Sequence, residues 1–402
     1  MHNLAAAKRT SRKGRPSKAR AAHGAGGSAE GLPALSSLAD LPTFSELAPS
    51  ERQKSAFGKA AADAAAALGC DVSEMALGCV VRLDRGFPAV VSEDALFRAE
   101  FSAHLTKGEN SRVAVGDWVL ARLPAGHDMG LILQILPRES DIARWRGGAR
   151  GEKQTLAANV DTVLVVQQLG AQPISCERVA RSAVIARDCG AKAAIVFTKA
   201  DRAPSDVLKE DVAIVRDVLG EESPLVMTSS AHDEKAARAE SDASGLGVPW
   251  GSDSVRALVP TGQVAIVLGE SGAGKSTLLN TLLGKDVLKT GAVRGSDDAG
   301  RHTTVARRMV SVPGGGVIVD EPGLRSLPIV GHERGLAAVF PEIAGAAQGC
   351  RFRDCTHTRE PGCQVLELLA SGTISKRRYD AYVALAAEMR ESARSLDPDV
   401  VI

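Results

Sequence analysis

The chain has 402 residues, enough for two to three domains with a substantial core. An aromatic content of 3% leaves base stacking only a minor part in any nucleic-acid contact. No apolar run reaches the ~18 residues of a membrane-spanning helix and no signal peptide is recognised, so the expectation is a cytoplasmic protein without membrane contact.

The formal net charge of +1 hides an asymmetry. The first acidic residue is Glu30, and before it come Lys8, Arg9, Arg12, Lys13, Arg15, Lys18 and Arg20 among Ala, Gly and Ser. Such a composition cannot bury enough apolar surface to fold, so residues 1–50 are expected to be a disordered basic tail suited to a salt-sensitive tether on RNA. Residues 51–74 read as a helical connector. Five short β-like runs follow, at 76–83, 87–91, 95–101, 112–123 and 130–136, separated by turn residues; they suit a small five-stranded barrel over 75–140, with an OB-fold as the natural architecture. Arg98, Lys107, Arg112 and Arg122 offer that barrel charge for RNA backbone contacts, and a barrel that only braces its neighbour is the alternative. Residues 141–158, with Arg146, Arg150 and several glycines, read as a basic linker.

A parallel sheet begins at 160–166, and a crossover helix over 177–189 leads to the strand-like run 193–197. That run ends in Thr198-Lys199-Ala200-Asp201. A carboxylate placed there, on Asp201, can accept two hydrogen bonds from the guanine edge, for which adenine has no matching donor pair. Lys199 can lay its stem along the base and reach toward the phosphates. The run 224–227 then leads into Thr228-Ser229-Ser230-Ala231, where small residues, Ser229 and Ser230 among them, can present backbone to the base oxygen.

The apolar run 264–268 is followed by Gly269-Glu270-Ser271-Gly272-Ala273-Gly274-Lys275-Ser276 and by a helix over 276–283, stopped by Gly284. Strand, glycine loop and helix are what a phosphate cradle needs: successive N–H groups turn inward at the positive end of a helix. Lys275 is placed for the β and γ phosphates and Ser276 for Mg²⁺, with Thr277 beside it. The base-reading motif thus precedes the phosphate loop, which is the order of a circularly permuted GTPase. Within Gly300-Arg301-His302-Thr303-Thr304, one threonine can complete the Mg²⁺ shell; Thr304 is favoured over Thr303, unless both simply open the next strand. Runs at 307–312 and 317–320, separated by three glycines, read as a hairpin at the sheet edge. The second ends in Asp320-Glu321-Pro322-Gly323, where Asp320 can hold the Mg²⁺ water shell and Gly323 can offer its N–H to the γ-phosphate. The next residue is Leu324, which cannot align water, so intrinsic hydrolysis is expected to be slow and His302 is the nearest candidate for orienting the attacking water.

Cys350, Cys355, His357 and Cys363 place three sulfurs and an imidazole within fourteen residues as C-x4-C-x-H-x5-C. These ligands fit one tetrahedral, structural Zn²⁺; disulfides compete, but seven cysteines make no even framework. Helices over 365–370 and 375–394 close the chain, the latter with Lys376, Arg377, Arg378, Arg390 and Arg394 as a candidate basic face.

The permuted TKAD, GESGAGKS, GRHTT and DEPG segments, followed by C-x4-C-x-H-x5-C, resemble the ribosome small-subunit-dependent GTPase family, known as RsgA or YjeQ, over residues 75–395. The resemblance implies an α/β P-loop GTPase domain, circularly permuted and spanning 159–335, an N-terminal OB-fold, and a C-terminal helical zinc domain over 336–402. It also implies a GTP hydrolase acting late in maturation of the small (30S) ribosomal subunit, with that subunit, its rRNA and GTP/GDP as partners of a monomer. A nucleotide-regulated RNA-binding module with incidental hydrolysis is the alternative. By the family's pattern, 198–201 and 269–276 bind the nucleotide, and Cys350, Cys355, His357 and Cys363 bind the metal.

Overall fold

The computed structural model describes residues 41–83, 87–103, 105, 113–124, 129–146, 152–284, 307–320, 329 and 331–396. Most of the basic tail lies outside them, but residues 41–50 are folded, which corrects the expectation that the tail runs to residue 50. A 3-10 turn at Phe44–Glu46 sets the Phe44 ring edge-on to Trp118 at 5.6 Å, and Leu47, 6% exposed, bridges to Gly262 just before the phosphate-loop strand. Ser50 then caps helix α1 (Glu51–Leu68), with Gln53 closing the capping box.

Five strands follow: β1 (Met75–Leu83), β2 (Ala89–Ser92), β3 (Leu96–Phe101), β4 (Trp118–Arg122) and β5 (Met129–Ile135). They pair in the order β1-β2-β3-β5-β4, and β4 returns antiparallel to β1, closing a five-stranded barrel. β3 and β5 are parallel and the other pairs antiparallel, an arrangement that agrees with the OB-fold expectation. Val80, Val90, Phe97, Val119 and Ile132 fill the barrel, and α1 plugs one side with Ala61 and Ala65 against Met75 and Leu120. Of the cations expected to face RNA, Arg98 is instead buried, donating to the Phe87 carbonyl, and Arg122 pairs with Glu74 at 2.9 Å. Lys107 and Arg112 lie outside the described residues.

The segment read as a basic linker is an antiparallel two-stranded sheet, β6 (Asp141–Arg146) and β7 (Glu152–Ala158). It is anchored to the barrel by Arg138, whose guanidinium grips the fully buried Asp117 through two nitrogens at 2.7 and 2.8 Å and donates to Thr155. Both carboxylate oxygens are satisfied, yet burial still holds the Asp117 pKa above the ordinary carboxylate value, so the pair fixes the geometry of this junction more than it adds stability.

The second sheet contains β8 (Thr162–Gln168), β9 (Lys192–Thr198), β10 (Leu225–Met227), β11 (Val264–Leu268), β12 (Arg307–Ser311) and β13 (Val317–Asp320). Its order is β10-β9-β8-β11-β13-β12, parallel except for the last pair. The near-continuous Val, Ile, Leu and Ala of β8, β9 and β11 reflect burial on both faces. Helices α2 (Cys176–Asp188), α3 (Ser205–Leu219), α4 (Glu234–Gly245), α5 (Gly251–Ala257) and α6 (Lys275–Leu283) accompany these strands. The hairpin expected at an open sheet edge is not free there: β12 pairs with β1 through Arg82↔Arg308 and Leu83↔Arg307, joining sheet and barrel.

Four helices close the chain: α7 (Glu333–Val339), α8 (Pro341–Ala347), α9 (Gln364–Ala370) and α10 (Lys376–Leu396). They share a core with α2, in which Ala180 and Val184 meet Leu336, Phe340, Ile343 and Leu385. The candidate basic face of α10 is largely spent inside the molecule. Arg377 pairs with Glu210 at 2.7 Å, Lys376 with Asp380, and Arg378 binds Glu342 and the carbonyls of Val218 and Val339.

Candidate functional site

The C-terminal ends of β9, β10, β11 and β13 come out on one edge of the sheet, and β11 lies directly beside β8 where the chain's course across the sheet reverses, the position at which open α/β sheets bind ligands. The loop between β11 and α6 must pass tightly over β8. A Cβ at Gly269 would lie 2.5 Å from the Val166 carbonyl oxygen, so only glycine fits. Gly274, at φ 89°, turns the chain into α6 and leaves the first N–H groups of that helix facing the loop. Lys275 folds its ammonium over the loop onto the carbonyls of Gly269 and Glu270, the latter at 2.7 Å. Ser276 and Thr277 follow in the first turn of α6.

On the base side, β9 ends at Thr198 and the backbone turns sharply at Lys199, a non-glycine residue in the left-handed region at φ 56°. Such strain persists only where surrounding structure fixes it. A 3-10 turn over Ala200–Arg202 then presents Asp201. The strand β10 delivers Thr228 to Ala231 alongside: Thr228 N–H donates to the Phe197 carbonyl, and Ser229 donates its hydroxyl to the Asp201 carboxylate at 2.5 Å. Ser229 also accepts from Ala231 N–H at 3.0 Å.

The two motifs meet directly. Thr198 donates to the Ala273 carbonyl at 2.6 Å, and Lys199 Nζ to the Gly272 carbonyl at 2.6 Å and to Gln168 Oε1 at 2.8 Å. Burial, with Arg202 nearby, lowers the Lys199 pKa. Thr198, Lys199, Ser229, Ser230, Gly274 and Thr277 line one cavity of about 550 Å³, a volume suited to a nucleotide-sized ligand. Asp320 stands at the end of β13, its carboxyl pushed upward by burial and partly restored by Arg308, 3.8 Å away. Glu270, in a variable position of the loop, pairs with Arg178 of α2 at 3.1 Å. His302, Thr304 and Gly323 lie outside the described residues, as do Thr303 and Leu324.

Sequence reasoning missed Gln168 and Arg178 as supports of the loop. Gln168, a polar end to an apolar strand, was the available signal; nothing local marked Arg178.

A second site lies between α8 and α9. Cys350, Cys355, His357 and Cys363 bring their ligand atoms within 4.8 Å of one another. The Sγ atoms of Cys350 and Cys363 are 3.8 Å apart, and His357 Nδ1 lies 3.6 and 3.5 Å from them. His357 takes a left-handed backbone, φ 62°, and its carbonyl accepts from the Tyr379 hydroxyl at 2.7 Å, which holds the backbone that carries the ring. Glu360 accepts from the Thr356 hydroxyl and gathers the N–H groups of Thr356, Thr358 and Arg359, bonds that hold its carboxyl well below the ordinary range and shape the loop. The set could hold a metal ion.

The profile described as RsgA GTPase matches residues 135–330. A curated relative from Streptomyces avermitilis, named small ribosomal subunit biogenesis GTPase RsgA, is 38% identical over 328 residues, covering 81% of this chain and 83% of its own. One of the same name from Leptospira interrogans is 34% identical over 326 residues, covering 80% and 84%. Among solved structures, YjeQ from Thermotoga maritima superposes with a TM-score of 0.56 at 23% identity, covering 79% of this chain and 99% of that one. YloQ, described as a circularly permuted GTPase, gives 0.55 at 21%, covering 79% and 96%.

Proposed function

The chain belongs to the RsgA GTPase family and is a GTPase of small-ribosomal-subunit maturation, and we propose that it hydrolyses GTP under stimulation by the small subunit, at the cavity where TKAD meets the phosphate loop. One observation supports this reading: Thr198 and Lys199 are hydrogen-bonded to Ala273 and Gly272 across some seventy positions of sequence, and Thr198, Lys199, Gly274 and Thr277 line one cavity. Asp201, steadied by Ser229, takes the N1 and N2 protons of guanine, and a backbone N–H of the Ser229–Ser230 turn meets the base oxygen. The N–H groups of 270–276 cradle the phosphates, and Lys275 leaves its loop carbonyls for the β and γ oxygens. Exchanging neutral carbonyls for phosphate oxygens strengthens each of its hydrogen bonds.

Mg²⁺ accompanies GTP in this family and supplies charge neutralisation between the β and γ phosphates; Ser276 and Thr304 would hold it, with Asp320 on its water shell. Gly323 offers its N–H to the γ-phosphate, and His302 orients the attacking water, since Leu324 has no polar group to do so. The Cys350, Cys355, His357 and Cys363 set would hold Zn²⁺. Zn–S bonds of about 2.3 Å and a Zn–N bond of about 2.0–2.1 Å at tetrahedral angles put sulfurs about 3.8 Å from each other and about 3.6 Å from nitrogen, in keeping with the spacings here. Four protein ligands leave no open position, so this metal is structural.

By domain, the tail up to residue 40 and the OB barrel approach rRNA, 159–335 switches with nucleotide, and 336–402 forms the zinc unit. A single chain carries every group of the nucleotide site, which suits a monomer acting in the cytoplasm on the 30S subunit. GTP turnover with and without purified small subunits tests the proposal: stimulation is expected, and equal rates would overturn it.

A further inference from the structure

The residue at the first position of the base-reading motif is Thr198, and its side chain faces two ways only. It is 6% exposed, it lines the nucleotide cavity, and its hydroxyl lies between two carbonyl oxygens, Ala273 at 2.6 Å and Gln167 at 3.5 Å. A threonine hydroxyl has one proton to give. Both neighbours are acceptors, so that proton is committed to the protein, and the strand end offers the cavity an oxygen and a methyl group but no donor.

Guanine presents N1–H and N2–H as donors and O6 and N7 as acceptors. With the two donors on Asp201 and O6 against the turn at Ser229–Ser230, the N7 edge of the purine swings toward Thr198 and the phosphate loop. Lys199, the neighbouring cation, is also committed, to Gly272 and Gln168. We propose that this chain selects guanine without reading N7: Thr198 serves to tie the base strand to the phosphate loop and leaves N7 without a side-chain donor. The specificity of the site then rests on N1, N2 and O6 alone, and guanine nucleotides altered at position 7 are accepted as ligands. This rests on the reading of Asp201 as the guanine selector.

The test is equilibrium binding of GTP, 7-deaza-GTP and ATP to the full chain. In 7-deaza-GTP a C–H replaces N7 and cannot accept a hydrogen bond, while shape and the other edges are kept. The wild type is expected to bind GTP and 7-deaza-GTP within about twofold. Thr198→Asn supplies two N–H donors, one for Ala273 and one for N7. It should come to prefer GTP over 7-deaza-GTP by roughly three- to tenfold, the scale of one net hydrogen bond. Thr198→Ala removes the tie and should weaken both nucleotides in equal proportion. A wild-type loss of about tenfold with 7-deaza-GTP, a selective loss of GTP in T198A, or a folded T198N with no new preference would each overturn the proposal. Failure of the underlying reading looks different: GTP would show no advantage over ATP.

Discussion

Lys199 Nζ sits 2.6 Å from the carbonyl oxygen of Gly272, seventy-three positions further along the chain, and closes the base-binding turn against the phosphate loop. The same ammonium holds Gln168 at the end of β8, so three strand ends are drawn together by one side chain on a strained backbone. Lys199→Met keeps most of the stem and removes the donors. Hydrogen bonds from a charged group contribute about 1.5–3 kcal/mol each, so GTP affinity should fall roughly ten- to a hundredfold. Titration with a fluorescent GDP analogue reads this directly, and an unchanged affinity would show that the bridge is idle in the bound state.

Asp201 has its carboxylate oriented by the Ser229 hydroxyl, leaving the remaining lone pairs for the base. In Asp201→Asn one acceptor becomes an N–H donor, which faces N–H of guanine but matches the second oxygen of xanthine. Preference should move from GTP to XTP by about tenfold or more, given how strongly a site rejects a ligand that leaves its polar groups unpaired. Competition binding of the two nucleotides checks it; a variant that still favours GTP removes Asp201 from the base edge.

Much of this site is legible in the sequence because its chemistry is local. The glycines at 269 and 274 and the fourteen residues holding Cys350 to Cys363 each act over a short stretch, and the apolar runs before them fix the strands that carry them. What escapes depends on distant contacts. Residues 141–158 look like linker because their Arg and Gly content hides a hairpin whose order comes from Arg138, Asp117 and Thr155. Residues 41–50 fold only because Trp118 and Gly262 receive Phe44 and Leu47. Arg98 reads as a surface cation, yet its guanidinium is used on the Phe87 carbonyl.

Cys355 contributes one of four ligands in a loop with little core of its own. Cys355→Ser should reduce bound zinc from one equivalent to well below one, measured by elemental analysis. Because metal binding supplies folding energy to such segments, the helices α7 to α10 should unfold at a lower temperature, with a loss of several kcal/mol. The ratio of GTP to ATP affinity should stay as in the wild type, since Asp201 and the phosphate loop lie elsewhere. Full zinc content in C355S would contradict the four-ligand assignment.

Asp211, on α3, is wholly buried; one oxygen accepts from Ile174 N–H at 2.8 Å and the other has no hydrogen-bond partner. Burial pushes its pKa up from 3.8 to about 6, with Glu210 adding to the effect. Well below pH 3.8 the group is neutral whether the chain is folded or unfolded and contributes nothing. As pH rises toward 6 the unfolded chain ionises first, so stability is lost across that window, and above it the penalty is constant. Asp211→Asn keeps the acceptor for Ile174 and removes the charge. It should stabilise the protein by about 2 kcal/mol at pH 8, less than the shift alone implies because the new amide N–H groups are themselves buried, and the gain should shrink toward zero as pH falls from 6 to 4. Denaturant midpoints at pH 8 and pH 4.5 decide it: an equal gain at both values would mean that the ionisation of Asp211 is not what limits stability there.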